Sequence, residues 1–292
     1  MDFATFLIQC LNALQYGLLL FLVASGLTLI FGIMGVINLA HGSFYMIGAY
    51  MAYALAPMVA SSFGGAFFST MVVGLVLSVI LGYVLEWAFF SYLYEREHLQ
   101  QVLMTYGLIL VFEELRSIFV GDDVHGVSVP PLLDGTFPLN EVMTYPVYRL
   151  FISGVCLLLA IGMWFVFTRT RLGMMIRAGT SNREMVQSLG IDITLLYRIV
   201  FAMGVALAVF AGMIAAPISS VYPGMGNMVL IICFVVVVIG GIGSIKGALV
   251  AALLIGLVDT FGKVLLPQAA GVLVYVLMAL ILLWRPHGLF KD

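Results

Sequence analysis

Few side chains in this 292-residue sequence have the types and spacing that chemistry needs. The four histidines, His41, His98, His125 and His287, are scattered, and none belongs to an H-E-x-x-H pair. Cys10, Cys156 and Cys233 lie far apart inside apolar runs with no C-x-x-C spacing, so they read as small packing residues rather than a disulfide or metal set. Gly241-Ile242-Gly243-Ser244-Ile245-Lys246-Gly247 has the glycines of a phosphate loop but lacks the Gly-Lys-Ser/Thr ending. It follows an apolar span rather than a soluble strand, so it reads as a tight turn with Lys246 at the lipid headgroups. No nucleophile–base pair stands out. The chain is expected to be no enzyme and to hold no metal and no cofactor of its own.

Three polar groups remain. The first is the segment from Arg171 to Tyr197. Thr180, Ser181 and Asn182 are candidate N-caps, Met185, Val186 and Leu189 recur at helical spacing, and Gly190 is a candidate C-cap. This predicts a helix of two or three turns, too short to span a bilayer, which either anchors topology or docks into a groove on a soluble partner. The second group is Asn38, His41 and Ser43, set among Gly32, Gly35, Gly42 and Gly48 in an uncharged run. Irregular backbone at membrane depth survives only where protein buries it or water lines it, and polar side chains there are functional candidates. Asn38, His41, Gly42 and Ser43 are therefore candidates for a solute pathway; the alternative is an ordinary turn. The third group is the acids in or near apolar runs: Glu86, Glu113, Glu114 beside Arg116, and Asp259 four residues before Lys263. Local pairing and snorkelling account for them, and recognition of a substrate amino group is the sharper reading.

The elements that must carry these groups follow from composition. The chain is 63% hydrophobic and 9% charged, with a mean hydropathy of +1.19, against about 25% charge in an average soluble domain. That excludes a soluble enzyme, a nucleic-acid binder and a disordered chain, and the net charge of −2 points to no polyanionic partner. No charged residue occurs between Asp2 and Glu86, or between Arg198 and Lys246. Long Gly-containing runs without apolar/polar alternation predict helices rather than barrel strands. The expected fold is an all-α polytopic membrane bundle in a single domain, residues 1–292. Nine spans are placed at 6–30, 40–59, 67–92, 102–119, 146–167, 197–216, 228–242, 248–261 and 271–284, with a range of eight to ten. Small residues at four-residue spacing, such as Gly204/Ala208, Ala208/Gly212 and Ala252/Gly256, suit close helix packing.

Orientation follows from arginine. Residues 169–198 carry five arginines against two acids, whereas 121–145 carry four acids and no Lys or Arg. The positive-inside rule predicts that the arginine segment, including Gln187, and the tail through Lys291 are cytoplasmic. It places Asp134 and the N-terminus outside.

Several motifs resemble the branched-chain amino acid ABC permease family, in order along nearly the whole chain. They are Gly26–Tyr50, Arg169–Gly173 with Arg177-Ala178 and Gly190-Ile191, Gly240–Ser244 with Gly247-Ala248, and Arg285–Phe290. Glu184 and Gly190 keep the spacing of the Glu-Ala-Ala-x-x-x-Gly loop by which ABC importers contact their ATPases, although both Ala positions differ and the later Leu-Pro is missing. The length resembles the shorter, LivH-like permease type. The resemblance implies an importer of a small amino acid in the inner (plasma) membrane, working by alternating access. Its partners would be a second homologous permease, two ATP-binding subunits that hold ATP and Mg, and an extracytoplasmic solute-binding protein. It assigns the ATPase-coupling segment to Arg177, Asn182, Arg183, Glu184, Leu189, Gly190 and Ile191. Relatives that carry urea, amides or other small solutes keep the cargo open. A self-contained secondary transporter is the reading from another class, and the scarcity of paired charges within spans opposes it.

Overall fold

A computed structural model describes residues 3–63, 66–94, 96–138 and 144–290; Lys291, whose side was predicted above, lies outside them. The chain runs through α1 (Phe3–Met34), α2 (His41–Phe63), α3 (Ala66–Ala88), α4 (His98–Val120), β1 (Thr136–Pro138), β2 (Thr144–Pro146) and α5 (Val147–Arg169). It continues through α6 (Arg171–Ser181), α7 (Arg183–Ser188), α8 (Ile193–Ser219), α9 (Met225–Gly240), α10 (Ile245–Leu265) and α11 (Ala270–Trp284). Each of the nine predicted spans coincides with one helix. Five of these, α1, α3, α5, α8 and α10, are long and apolar enough to cross a membrane, and α9 and α11 are shorter apolar helices. The protein is an all-α polytopic membrane bundle.

α1 and α8 form its centre. Their most apolar stretches are 89% and 78% buried, against 22% for α5. A helix apolar on every side needs neighbours on every side, and these two have them. α1 lies against α8, α9, α10 and α5, while α8 lies against α1, α2 and α3. The small-residue spacings are at the crossings. Where α1 crosses α8, a Cβ at Gly26 would lie 2.5 Å from the Gly204 carbonyl, and where α8 crosses α2, one at Gly212 would strike the Tyr45 carbonyl. Only glycine lets these backbones approach so closely.

The bundle has two chemically distinct ends. At the acidic end, Arg116 binds Asp122 at 2.9 Å, and His125 pairs by backbone hydrogen bonds with Val221 in the α8–α9 turn. The Tyr145 hydroxyl donates to Asn12 of α1 at 3.1 Å, and β1 pairs antiparallel with β2. At the arginine end lie α6, α7 and the tail. The tail continues onto α9, with Leu289 N–H donating to Ile239 O at 2.8 Å and Phe290 N–H to Gly240 O at 3.2 Å.

The short-helix prediction needs one amendment. Two helices, α6 and α7, occupy the arginine segment instead of one. Thr170 caps α6 by accepting from Gly173 N–H at 3.2 Å, and Ile176 faces inward. Gly173 and Gly179 obscure α6 in the sequence because both lower intrinsic helix propensity.

Candidate functional site

The break between α1 and α2 is partly buried. Gly35, at φ +65°, turns the chain out of α1, and Val36, Asn38, Ala40 and His41 are fully enclosed. Asn38 Oδ1 accepts from Ala40 N–H at 3.1 Å, and His41 Nε2 lies 2.9 Å from the Val23 carbonyl of α1. A carbonyl only accepts, so Nε2 carries the proton, and in the neutral ring Nδ1 is then an acceptor. Asn38 Nδ2 and His41 Nδ1 have no partner among the described residues, which leaves a buried donor and a buried acceptor three residues apart. The segment is irregular backbone enclosed at Val36, Asn38 and Ala40 and exposed at Gly35, where it leaves α1. Ser43 is buried as well, and none of the four pathway candidates lines either of the two cavities described below. Gly42 serves a helix crossing: a Cβ there would strike the Gly226 carbonyl of α9 and sit 2.7 Å from Leu230 Cβ.

At the arginine end, Arg177 Nη1 donates to the Phe167 carbonyl near the C-terminus of α5, where a cation also meets the helix dipole favourably. Of the three candidate caps, Asn182 is the one used for α7; its Oδ1 accepts from Met185 N–H at 3.0 Å. Val186 points inward, whereas Met185 and Leu189 are exposed, at 58% and 72%. Gly190 sits at φ +81° with its N–H on Gln187 O at 2.9 Å, and Ile191 N–H reaches Val186 O at 3.3 Å. These two bonds are the paired closure of a Schellman helix end. A Cβ on Gly190 would meet nothing within 4 Å, so its backbone angle alone demands glycine. The backbones of Arg183 and Glu184 belong to α7; their side chains lie outside the described residues.

The acidic end holds a cavity of about 400 Å³ between α1, α2, α5, α8 and α10. Asp259 and Lys263 pair at 2.6 Å, as their spacing predicts, and Lys263 Nζ sits 5.6 Å from the Tyr16 ring centroid. Arg149 Nη1 donates to Asn12 Oδ1 at 2.6 Å. Nearby, burial raises the Tyr145 hydroxyl pKa, while hydrogen bonds from Arg116 and Ser117 hold the Asp122 carboxyl below its usual range. A second cavity, about 360 Å³ and walled mostly by apolar groups such as Phe67, Met71 and Leu132, lies between α2, α3 and the 127–132 loop.

The sequence reading misjudged one group and missed another. Glu86 does not pair locally: Arg198 Nε binds its Oε2 at 2.9 Å and the Tyr94 hydroxyl donates to Oε1 at 2.5 Å. Arg149 went unnoticed, though a lone arginine after an acidic loop, against the positive-inside pattern, was a usable signal.

Comparison with known proteins decides the family. The profile described as "Branched-chain amino acid transport system / permease component" matches residues 9–283. The chain belongs to this permease family. It is 31% identical to the high-affinity branched-chain amino acid transport system permease protein BraD of Pseudomonas aeruginosa, over 97% of this chain and 95% of that one. It is 27% identical to LivH of Escherichia coli, over 99% and 96%, and 28% identical to a probable LivH of Methanocaldococcus jannaschii, over 95% and 90%.

The motifs of the permease meet in space. A Cβ on Gly32 would lie 2.6 Å from Gly243, and one on Gly288 would lie 2.7 Å from Gly241. The end of α1, the α9–α10 turn and the tail thus close on one another at the arginine end. Among the described residues no cluster of three His, Cys, Asp or Glu is placed to hold a metal.

Proposed function

We propose that this permease is the membrane subunit of an ATP-driven importer for small amino acids, with branched-chain amino acids as cargo. Its partners in this reading are a second related permease, two ATP-binding subunits and an extracytoplasmic solute-binding protein. ATP and Mg belong to the partners, and this chain contributes no catalytic residue and no cofactor. The acidic end and the N-terminus face outward, and the arginine end faces the cytoplasm of the inner-membrane cell.

The observation that carries the reading is α7. It offers Met185 and Leu189 to solvent at i,i+4 spacing, is closed at both ends by its own caps, and leads through four residues into α8. Asp192 starts α8 by accepting from Leu195 N–H at 3.1 Å. A partner that moves α7 therefore moves the helix at the centre of the bundle. α8 abuts α2 through Gly212 and Tyr45, so its shift separates or closes that seam and alternates access between the two ends.

The test is uptake by the complete complex in proteoliposomes, with solute-binding protein outside and ATP inside. The expected result is ATP-dependent accumulation of leucine, isoleucine or valine. Accumulation without ATP or without the ATPase subunits would instead identify a self-contained transporter.

A further inference from the structure

The cavity at the acidic end has the chemistry of a binding site. Gln15 lines it from α1 and is only 7% exposed. A glutamine amide offers both a donor and an acceptor at the cavity wall. Opposite charges face the same space from different helices: the Arg149 guanidinium from α5, and the Asp259 carboxylate from α10. Leu19, Ile218 and Val264 supply apolar wall. The volume of about 400 Å³ falls in the range of roughly 300–1,000 Å³ that small-molecule sites occupy.

We propose that this cavity is an outward-facing subsite for a zwitterionic α-amino acid with an aliphatic side chain, its carboxylate on Arg149 and Gln15 and its ammonium on Asp259. The proposal rests on the transport reading and deepens it by naming the cavity and the groups that hold the solute. Arg149 gives one N–H to Asn12, and a guanidinium has five, so donors remain for a carboxylate. Lys263 is the occupant that the ammonium displaces. Its side chain is 64% exposed against 14% for Asp259, so it can swing to water while the carboxylate stays. A neutral solute such as urea can hydrogen-bond to both groups but brings no ionic charge to either, and so gains less from them. The floor of the cavity is Tyr45, one helical turn from His41, at the point where Gly212 of α8 presses on the Tyr45 carbonyl. The solute therefore waits above the seam that α8 controls.

Single-cysteine reporters test this. In the full complex in nanodiscs, with Cys10, Cys156 and Cys233 replaced by alanine, Ser219→Cys or Thr260→Cys is modified with a small methanethiosulfonate reagent. L-leucine at millimolar concentrations is expected to slow modification at both reporters. Isoamylamine and 4-methylpentanoate, which each lack one charge, are expected not to. Asp259→Asn should raise the half-protecting leucine concentration about tenfold, the scale of one lost charge-assisted hydrogen bond, and Lys263→Met should lower it. Arg149→Gln should also raise it, and if that variant fails to assemble, Arg149→Lys serves in its place. Equal modification rates with and without leucine at both reporters would overturn the site, and so would equal protection by either one-charge analogue. Uptake by the unmutated complex is measured in parallel. Uptake without protection removes the subsite and leaves the importer standing; protection without ATP-dependent uptake removes the importer and leaves the subsite.

Discussion

The Glu86 carboxylate and the Arg198 guanidinium, 112 residues apart in sequence, meet at 2.9 Å near the arginine end of the bundle. Glu86 is fully buried and its second oxygen takes the Tyr94 hydroxyl, while Arg198 also stacks over Tyr83 with its guanidinium carbon 5.7 Å from the ring centroid. The pair ties α3 to the first turns of α8, two helices that pack along their length. Removing one partner of such a pair leaves an uncompensated charge, which costs more than the pair contributes. Arg198→Met should therefore destabilise the chain by about 2–4 kcal/mol, and Glu86→Met with Arg198→Met should recover most of that loss. Unfolding in mixed micelles by SDS titration measures it. A double variant no more stable than Arg198→Met would show that the pair's charges are not coupled.

Topology gives a second test. Cysteines at Asp134 and Gln187, both exposed positions at opposite ends of the bundle, should divide in whole cells. An impermeant maleimide should label the first from outside and leave the second unreacted until the cells are opened. Labelling of Gln187→Cys in intact cells would reverse the proposed orientation.

At Gly190 the φ of +81° costs an L-residue about 1–2 kcal/mol, and no neighbour adds a clash. Gly190→Val should loosen the α7 end and lower both stimulated ATP hydrolysis and uptake, with assembly intact. Glu184→Ala should do less, since a rim ion pair with a partner subunit would be worth only about 0–1 kcal/mol. The two rates are measured in nanodiscs with and without loaded binding protein. Wild-type values for Gly190→Val would reduce α7 to a topological anchor.

Gly42 and Gly107 form a contrasting pair. A methyl at Gly42 drives into Gly226, whereas one at Gly107 meets nothing within 4 Å. Gly42→Ala should cost about 1–3 kcal/mol through forced separation of α2 from α9, and Gly107→Ala should be neutral or stabilising by up to about 1 kcal/mol. SDS resistance and uptake should fall together for Gly42→Ala. Lost uptake with unchanged SDS resistance would place Gly42 on the pathway itself.

What the sequence made legible was local. Uncharged runs located the helices, because a bilayer imposes length and apolarity on each segment separately. The candidate caps Thr180, Ser181 and Asn182 bracketed the start of α7 and Gly190 marked its end, because caps are satisfied within a few residues. Asp259 and Lys263 were readable because four residues place them on one helix face. Glu86 was misjudged because its partner lies 112 residues away, and no period links the two. The acidic-end cavity was invisible for the same reason. Gln15, Arg149 and Asp259 come from three helices, and only their packing brings them to one space. Gly42 read as a pathway candidate, but its packing is set by Gly226, a residue that nothing near it in sequence suggests.

Helix lengths carry a consequence for the lipid. α1, with 32 residues, is about 48 Å long, whereas α11, with 15, is about 22 Å, short of the roughly 30 Å hydrocarbon core. α1 is sheathed by other helices, but α11 turns Leu280, Leu283 and Trp284 outward. The acyl chains beside α11 must therefore compress, while those along the opposite flank need not. Such mismatch costs fractions of a kcal/mol per Å and grows with chain length. The protein carries its own wedge of thinned bilayer on one side, and membranes of longer-chain lipids will resist whatever motion widens it.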